Sequence, residues 1–136
     1  MNKEITFKKN KGFRRLRLAA FYSYKGFISA FAHEAAFRQE LLLAAVLIPI
    51  AVWLQVSPVE RVLLVGSVVL VLIVELLNSA VEAAVDRVGL EHNELAGRAK
   101  DLGSAAVFVS LLLWGFTWAS LVLFNPAVLT ALRALF

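Results

Sequence analysis

A long apolar segment that ends in acidic residues is the feature that most constrains this chain. The thirteen residues from Val62 to Val74 are apolar or small. Four residues that ionise or hydrogen-bond follow in the same stretch: Glu75, Asn78, Ser79 and Glu82. An ionisable group at membrane depth is costly unless it has a partner or a function. At about 100° per residue, Glu75 and Glu82 share one helix face with Ser79 between them and Asp86 beyond. We call Glu75, Glu82 and Asp86 the acidic stripe.

The composition is that of a membrane protein. Of the 136 residues, 60% are hydrophobic, whereas soluble domains have about 45–50%. The length allows a single domain. The chain has no cysteine, which excludes disulfide bonds, a thiolate nucleophile and zinc sites built on cysteine.

We expect an all-α integral membrane fold, with an N-terminal amphipathic interfacial helix and three transmembrane helices. Apolar stretches long enough to cross a bilayer alternate with short polar connections. Ser57 is expected to cap the second span, with Pro58 in its first turn. The expected segments are a basic tail and interfacial helix (1–33), a first span (35–56), a second span (59–86), a cytoplasmic loop (87–100), a third span (101–124) and a C-terminal tail (125–136).

The N-terminal segment is basic and then amphipathic. Between Phe13 and Phe31, apolar residues recur every three or four positions and cations occupy the other faces. This pattern is typical of a helix that lies on a membrane rich in anionic lipid. A cleavable signal peptide is the alternative, but Lys25 interrupts its apolar core. Nucleic-acid binding is disfavoured, since no soluble reading domain follows.

The distribution of basic residues predicts the topology. Nine of the fourteen Lys and Arg residues precede residue 41, and three more lie in the 87–100 segment. Three crossings bring these two regions to the same side of the membrane. The positive-inside rule identifies that side as the cytoplasm. The acidic stripe then approaches the cytoplasmic interface, with Glu75 as its deepest member.

The polar residues near this interface are suited to phosphoryl transfer. No glycine-rich phosphate loop and no motif of soluble protein kinases is present. Carboxylates suit Mg²⁺, cations balance phosphates, and Glu75 lies where a hydroxyl could arrive from the lipid. The carboxylates and cations are Glu34, Glu82, Glu91, Glu94, Asp101, Arg15, Arg98 and Lys100.

Three segments together resemble the prokaryotic diacylglycerol kinase family. They are EAAFRQE at 34–40, VELLNSAVEAAVDR at 74–87 and ELAGRAKDLGSAA at 94–106. The resemblance implies a small lipid kinase of the bacterial inner membrane, working as a homotrimer with active sites between subunits. It further implies that the enzyme uses ATP and Mg²⁺ to phosphorylate diacylglycerol to phosphatidate on the cytoplasmic side.

The resemblance also implies roles for individual residues. Glu75 would be the general base, Asn78 would complete the catalytic site, and Glu34 and Glu82 would hold the metal. The nucleotide-binding residues would be Arg15, Tyr22, Glu34, Glu82, Asp86, Glu91, His92, Asn93, Lys100 and Asp101. The residues bordering the lipid substrate would be Arg15, Ala36, Phe37, Arg38, Gln39, Glu40, Glu75 and Ser104.

Two other functions stay open at the level of sequence. An undecaprenol kinase would share the fold and differ in its lipid, although the AAFRQE form of the first motif favours diacylglycerol. A small proton-coupled exporter would explain Glu75. It would leave Glu34, Glu82 and the Lys100–Asp101 pair without a role.

Overall fold

The computed structural model describes residues 12–88, 93–126 and 129–130. Over these ranges the chain is helical and contains no strand, so the predicted all-α class is confirmed. The elements in order are α1 (Phe13–His33), α2 (Ala35–Trp53), α3 (Pro58–Val88), α4 (Glu94–Trp118) and a π-helical turn (Ala119–Leu123).

Three helical stretches are long and apolar enough to cross a membrane. Their most apolar windows have mean hydropathies of 1.7, 2.4 and 2.0 in chain order. The shortest has 19 residues, or about 28 Å at 1.5 Å per residue, close to the thickness of a bilayer core. The chain is therefore a membrane protein, as its composition predicts. The three stretches are Ala35–Trp53, Pro58–Arg87 and Glu94–Leu123.

A break at Glu34 separates α1 from α2. Glu34 has extended backbone angles, with φ −102° and ψ 112°. Arg38 Nη1 donates to the carbonyl oxygens of Phe31 and Ala32, at 3.0 and 3.3 Å. A basic side chain thus satisfies acceptors that the end of a helix leaves free. The first motif therefore forms a corner between the two helices, where the sequence predicts the first span to start.

A capping box begins α3. The backbone N–H of Ser57 donates to Glu60 Oε2 at 2.7 Å, and the N–H of Glu60 donates to Ser57 Oγ at 3.3 Å. This reciprocal pair satisfies two donors at the start of the helix. The predicted cap at Ser57 is confirmed, and α2 and α3 form an antiparallel hairpin with a short connection.

Helices α3 and α4 form the closest pair in the bundle. A Cβ atom on Gly103 would collide with Asn78 Oδ1, so the absence of a side chain allows α4 to approach α3 here. At the other end of the pair, Trp118 Nε1 donates to Leu64 O at 3.2 Å. These contacts fix the rotation of α3, and so the direction of its acidic stripe.

Helix α4 begins within the charged segment, for which the sequence allows either a surface loop or a short interfacial helix. The predicted loop runs to residue 100 and the predicted third span starts at residue 101, but Glu94 to Lys100 are already helical. Asn93 is the reason, because its side-chain oxygen accepts from the N–H groups of Leu95 and Ala96 at 2.9 and 3.2 Å. The first span also differs, since α2 ends at Trp53 instead of residue 56.

Candidate active site

The acidic stripe continues the buried face of α3. Leu64, Val68 and Val71 are buried on this face, and Glu75 follows them at helical spacing with only 4% of its surface exposed. Glu82 is half-buried and Asp86 is exposed. The stripe therefore runs from a carboxylate in the apolar core to one in contact with solvent.

Asn78 positions Glu82. Its Nδ2 donates to Glu82 Oε1 at 2.9 Å, and its Oδ1 packs against Gly103 of α4. Asn78 Oδ1 is buried and has no hydrogen-bond partner within the described part of the chain. The packing of α4 thus restrains the amide that orients Glu82.

Two carboxylates outside α3 lie near Glu75. One is Glu34, at the corner between α1 and α2, which repels Glu75 electrostatically, as does Glu82 of α3 itself. The other is Glu40 on α2, and it and Glu75 repel each other in the same way. Residues far apart in sequence therefore influence Glu75 electrostatically, and we call Glu34, Glu40, Glu75 and Glu82 together the acidic cluster. Such a concentration of acid in a membrane protein suits the binding of a cation or the transfer of a proton.

An ion pair connects the last turns of α3 to the first turns of α4. Lys100 Nζ lies 2.5 Å from Asp86 Oδ1, and the two side chains are 40% and 53% exposed. Asp101, next along α4, is exposed. An anionic ligand approaching from solvent can therefore reach Lys100.

The predicted nucleotide contacts on α1 are not bonded to the acidic stripe. Arg15 and Tyr22 are both exposed. Within the described residues, neither forms a hydrogen bond or an ion pair with the acidic stripe. Ala30 is the buried residue of α1, near its end. The structure of one chain thus leaves most of α1 free to contact the membrane or a second subunit.

The predicted lipid contacts of the first motif differ in burial. Phe37 is fully buried and its ring centroid lies 6.3 Å from that of Phe27, which anchors α1 to α2. Arg38 caps α1. Glu40 is half-buried, whereas Ala36 and Gln39 are exposed, as is the predicted lipid contact Ser104 on α4.

A cavity lies between α2, α3 and α4, next to Glu40. It is partly open to the outside and has about 250 Å³ of space, the opening included. Glu40 Oε2 and Trp114 Nε1 are buried polar atoms without partners in the described structure. The lining residues are Glu40, Leu43, Leu47, Val68, Val71, Leu111 and Trp114.

Comparison with known proteins shows which protein family has this site. The family model "Prokaryotic diacylglycerol kinase" matches residues 21–122. The diacylglycerol kinase of Escherichia coli K12 is 53% identical over 111 residues, covering 82% of this chain and 91% of the relative. That of Pseudomonas aeruginosa is 54% identical over 117 residues, covering 86% and 95%. That of Haemophilus influenzae is 47% identical over 116 residues, covering 85% and 98%.

The chain belongs to the prokaryotic diacylglycerol kinase family. The matched residues include all of the acidic cluster and the Lys100–Asp86 pair. The predicted family is therefore confirmed. The activity is that of a lipid kinase.

The donor set of the acidic cluster fits magnesium in a member of this family. Among the described residues, no group of three or more His, Cys, Asp or Glu side chains forms a complete metal site. Mg²⁺ does not require one, since it usually binds one or two protein carboxylates together with substrate phosphates and water.

Two predicted nucleotide contacts of this kinase, Glu91 and His92, lie outside the described residues. Asn93 is exposed, and its side-chain oxygen caps α4. Asn93 therefore has a structural role in addition to the predicted nucleotide contact.

Trp114 lines the cavity beside Glu40, and the sequence analysis did not single it out. It lies one turn before the end of α4 at Trp118. Tryptophan near the end of an apolar span is typical of a membrane interface, so the sequence offered no signal that this one faces a cavity.

Proposed function

We propose that this diacylglycerol kinase transfers the γ-phosphoryl group of ATP to the free hydroxyl of diacylglycerol, with Mg²⁺ as cofactor and Glu75 as general base. The product is phosphatidate. One observation supports this assignment above the others: a carboxylate with 4% of its surface exposed lies in a spanning helix, between an apolar cavity and more exposed acids. Val71, about one turn before Glu75, lines the cavity, so the lipid hydroxyl would arrive from that side and the nucleotide from the more exposed end of the stripe.

In the proposed step, Glu75 accepts the proton of the lipid hydroxyl, and the hydroxyl oxygen forms a bond to the γ-phosphorus. The bond from that phosphorus to the bridging oxygen breaks, and ADP leaves with the electron pair. A base positioned in this way contributes about 10²- to 10⁴-fold to a rate.

Glu34 and Glu82 are the proposed magnesium ligands. When bound, Mg²⁺ neutralises charge on the phosphate oxygens. Asn78 holds Glu82 through the 2.9 Å hydrogen bond. The nucleotide would occupy the solvent-exposed end of the stripe, where Lys100 offers a positive charge. Its proposed contacts are Arg15, Tyr22, Asp86, Glu91, His92, Asn93, Lys100 and Asp101.

The lipid substrate would border the first motif. We assign its contacts to Arg15, to residues 36–40, to Glu75 and to Ser104. The exposed side chains of this group are accessible to a molecule arriving through the bilayer. Phe37 is fully buried, so its contribution would be to hold the corner in shape.

The proposed membrane arrangement puts the active site at the cytoplasmic face of the bacterial inner membrane. The excess of Lys and Arg in residues 1–40 and 87–100 supports this orientation. Helix α1 would lie in the interface, because large apolar residues such as Phe13, Leu16 and Tyr24 are exposed on it.

A homotrimer with composite active sites is the proposed assembly. Large apolar side chains are exposed on all four helices, so surface is available for association as well as for lipid. A second subunit would also explain why Arg15 and Tyr22 lie apart from the acidic stripe within one chain. The proposed number of subunits, three, comes from the resemblance to the family.

Purified protein given labelled ATP, Mg²⁺ and one lipid acceptor at a time tests the function. We expect labelled phosphatidate from diacylglycerol. Labelled undecaprenyl phosphate in preference would instead assign the enzyme to undecaprenol. No labelled lipid from either acceptor, with proton-driven transport in vesicles, would support an exporter.

A further inference from the structure

Three serines of α3 and α4 have hydroxyl groups removed from solvent, and they differ in their partners. Ser67 Oγ donates to Leu64 O at 2.9 Å, and Ser110 Oγ donates to Val107 O at 2.7 Å. Ser79 Oγ is buried without any hydrogen-bond partner in the described structure. A buried serine in a helix commonly bonds to a carbonyl one turn earlier, so Ser79 is the exception.

The environment of Ser79 differs from that of the other two serines. It lies on α3 between Glu75 and Glu82, four residues after the first and three before the second. These spacings put all three side chains on one face of the helix. Leaving a buried hydroxyl unpaired is unfavourable, so a partner from outside the chain would be favoured at this position.

The proposed reaction supplies such a partner. The acceptor hydroxyl would meet Glu75, and the phosphates of the nucleotide would lie near Glu82. Four residues of helix separate Glu75 from Ser79, or about 6 Å along the axis towards the solvent-exposed end. The phosphoryl group that passes from nucleotide to lipid therefore crosses the level of Ser79.

We propose that the Ser79 hydroxyl donates a hydrogen bond to a non-bridging oxygen of the γ-phosphoryl group during transfer. This inference rests on the proposed function and adds a residue to it. Ser79 keeps its proton throughout, while Glu75 receives the proton of the lipid hydroxyl. Charge on the non-bridging oxygens is what a fixed donor stabilises in phosphoryl transfer.

Steady-state kinetics of Ser79→Ala test the proposal. We expect kcat to fall by about 100-fold, as on removal of one transition-state donor. The KM values for ATP and diacylglycerol should stay within about twofold, since the contact matters most in the transition state. Ser67→Ala and Ser110→Ala are the matched controls, because their hydroxyls bond to backbone oxygens instead. We expect both to keep kcat within about twofold.

Ser79→Cys separates hydrogen bonding from shape. A thiol has nearly the size of a hydroxyl but is a weak donor. We expect its kcat to fall at least about tenfold. A wild-type rate in Ser79→Cys or in Ser79→Ala would overturn the proposal.

Two further outcomes would also overturn it. If cross-linking shows that the loss of rate in Ser79→Ala follows a loss of oligomer, the hydroxyl serves assembly. If the pH dependence of kcat shifts, the hydroxyl acts through Glu75 instead of the phosphoryl group. An unchanged oligomer and an unchanged pH profile support the direct contact. Failure of the wild-type protein to phosphorylate diacylglycerol would refute the proposed function itself, and no variant is needed to see it.

Discussion

The two ends of the α3–α4 pair use polar residues in opposite ways. At the end where α3 begins, polar groups bond to one another within the chain. Glu60 belongs to the capping box and also accepts from Asn125 Nδ2 at 3.4 Å. Trp118 donates to Leu64 O. Arg61 donates from Nη2 to Leu54 O at 3.3 Å, although its Nε lacks a partner in the described structure.

At the other end, Asn78 bonds to Glu82 and Lys100 pairs with Asp86, but the most deeply buried polar groups repel one another or lack partners. Glu75 faces the negative charges of Glu34 and Glu82. The Oδ1 of Asn78 and the Oγ of Ser79 are buried without partners among the described residues. Groups arranged in this way do not stabilise a chain by themselves, and they become favourable when a cation or a substrate binds.

The difference distinguishes polar residues that stabilise the fold of a membrane protein from polar residues that serve its function. Both ends contain carboxylates near apolar helices, so residue type alone does not distinguish them. The surroundings of each carboxylate do, because Glu75 faces other carboxylates, whereas Glu60 is hydrogen-bonded to Ser57. Substitutions at the beginning of α3 should therefore reduce stability, and substitutions along the acidic stripe should reduce turnover.

The largest expected effect is that of Glu75→Gln. Glutamine keeps the shape but cannot accept the proton, so kcat should fall by about 10³-fold. The control is Glu60→Gln, which changes the same functional group at the other end and should leave kcat within about twofold. Initial rates with saturating ATP and diacylglycerol measure both. Near-normal turnover in Glu75→Gln would exclude this residue as the base.

Next in size is the effect of Glu34→Ala or Glu82→Ala on the magnesium requirement. Loss of a ligand should raise the Mg²⁺ concentration for half-maximal rate by about 10- to 100-fold. A magnesium titration at fixed ATP measures it, with Glu60→Ala as the control. Unchanged titrations in both variants would contradict the assignment of these carboxylates as ligands.

Gly103→Ala should have a smaller effect, on both activity and stability. The added Cβ collides with Asn78 Oδ1, so Asn78 must move and its bond to Glu82 is strained. We expect kcat to fall by about tenfold and stability to fall by about 1–3 kcal/mol.

Gly115→Ala is the matched control for Gly103→Ala. It adds the same atom to the same helix, where nothing lies within 4 Å. Thermal unfolding in detergent and initial rates compare the two. Equal behaviour of the two variants would show that the approach of α4 does not position Asn78.

Ser57→Ala should have the smallest effect. The variant loses the side-chain acceptor of the capping box, which should lower stability by about 1 kcal/mol. Turnover should stay within about twofold, since the cap lies at the opposite end of α3 from Ser79 and Glu82. Thermal unfolding and initial rates test this pair of statements. A large loss of turnover with unchanged stability would contradict the division between the two ends.

Sequence by itself determined the helices and their local features. The apolar stretches predicted three helices of spanning length, Ser57 predicted the start of α3, and helical periodicity put Glu75 and Glu82 on one face. These properties follow from interactions within a few residues of each other, so they can be worked out without a fold. The charged segment before the third span allows a loop or a short helix, and the cap at Asn93 decides for a helix that continues into the span.

Tertiary structure alone decided which helices face the acidic stripe. The contact of Gly103 with Asn78, the pairing of Lys100 with Asp86 and the approach of Glu40 to Glu75 depend on how each helix is rotated against its neighbours. Many rotations bury similar apolar surface in a chain this hydrophobic, so periodicity does not select among them. Close packing at one small residue helps to select among them, because α4 approaches Asn78 of α3 at Gly103, where a side chain would collide with Asn78 Oδ1.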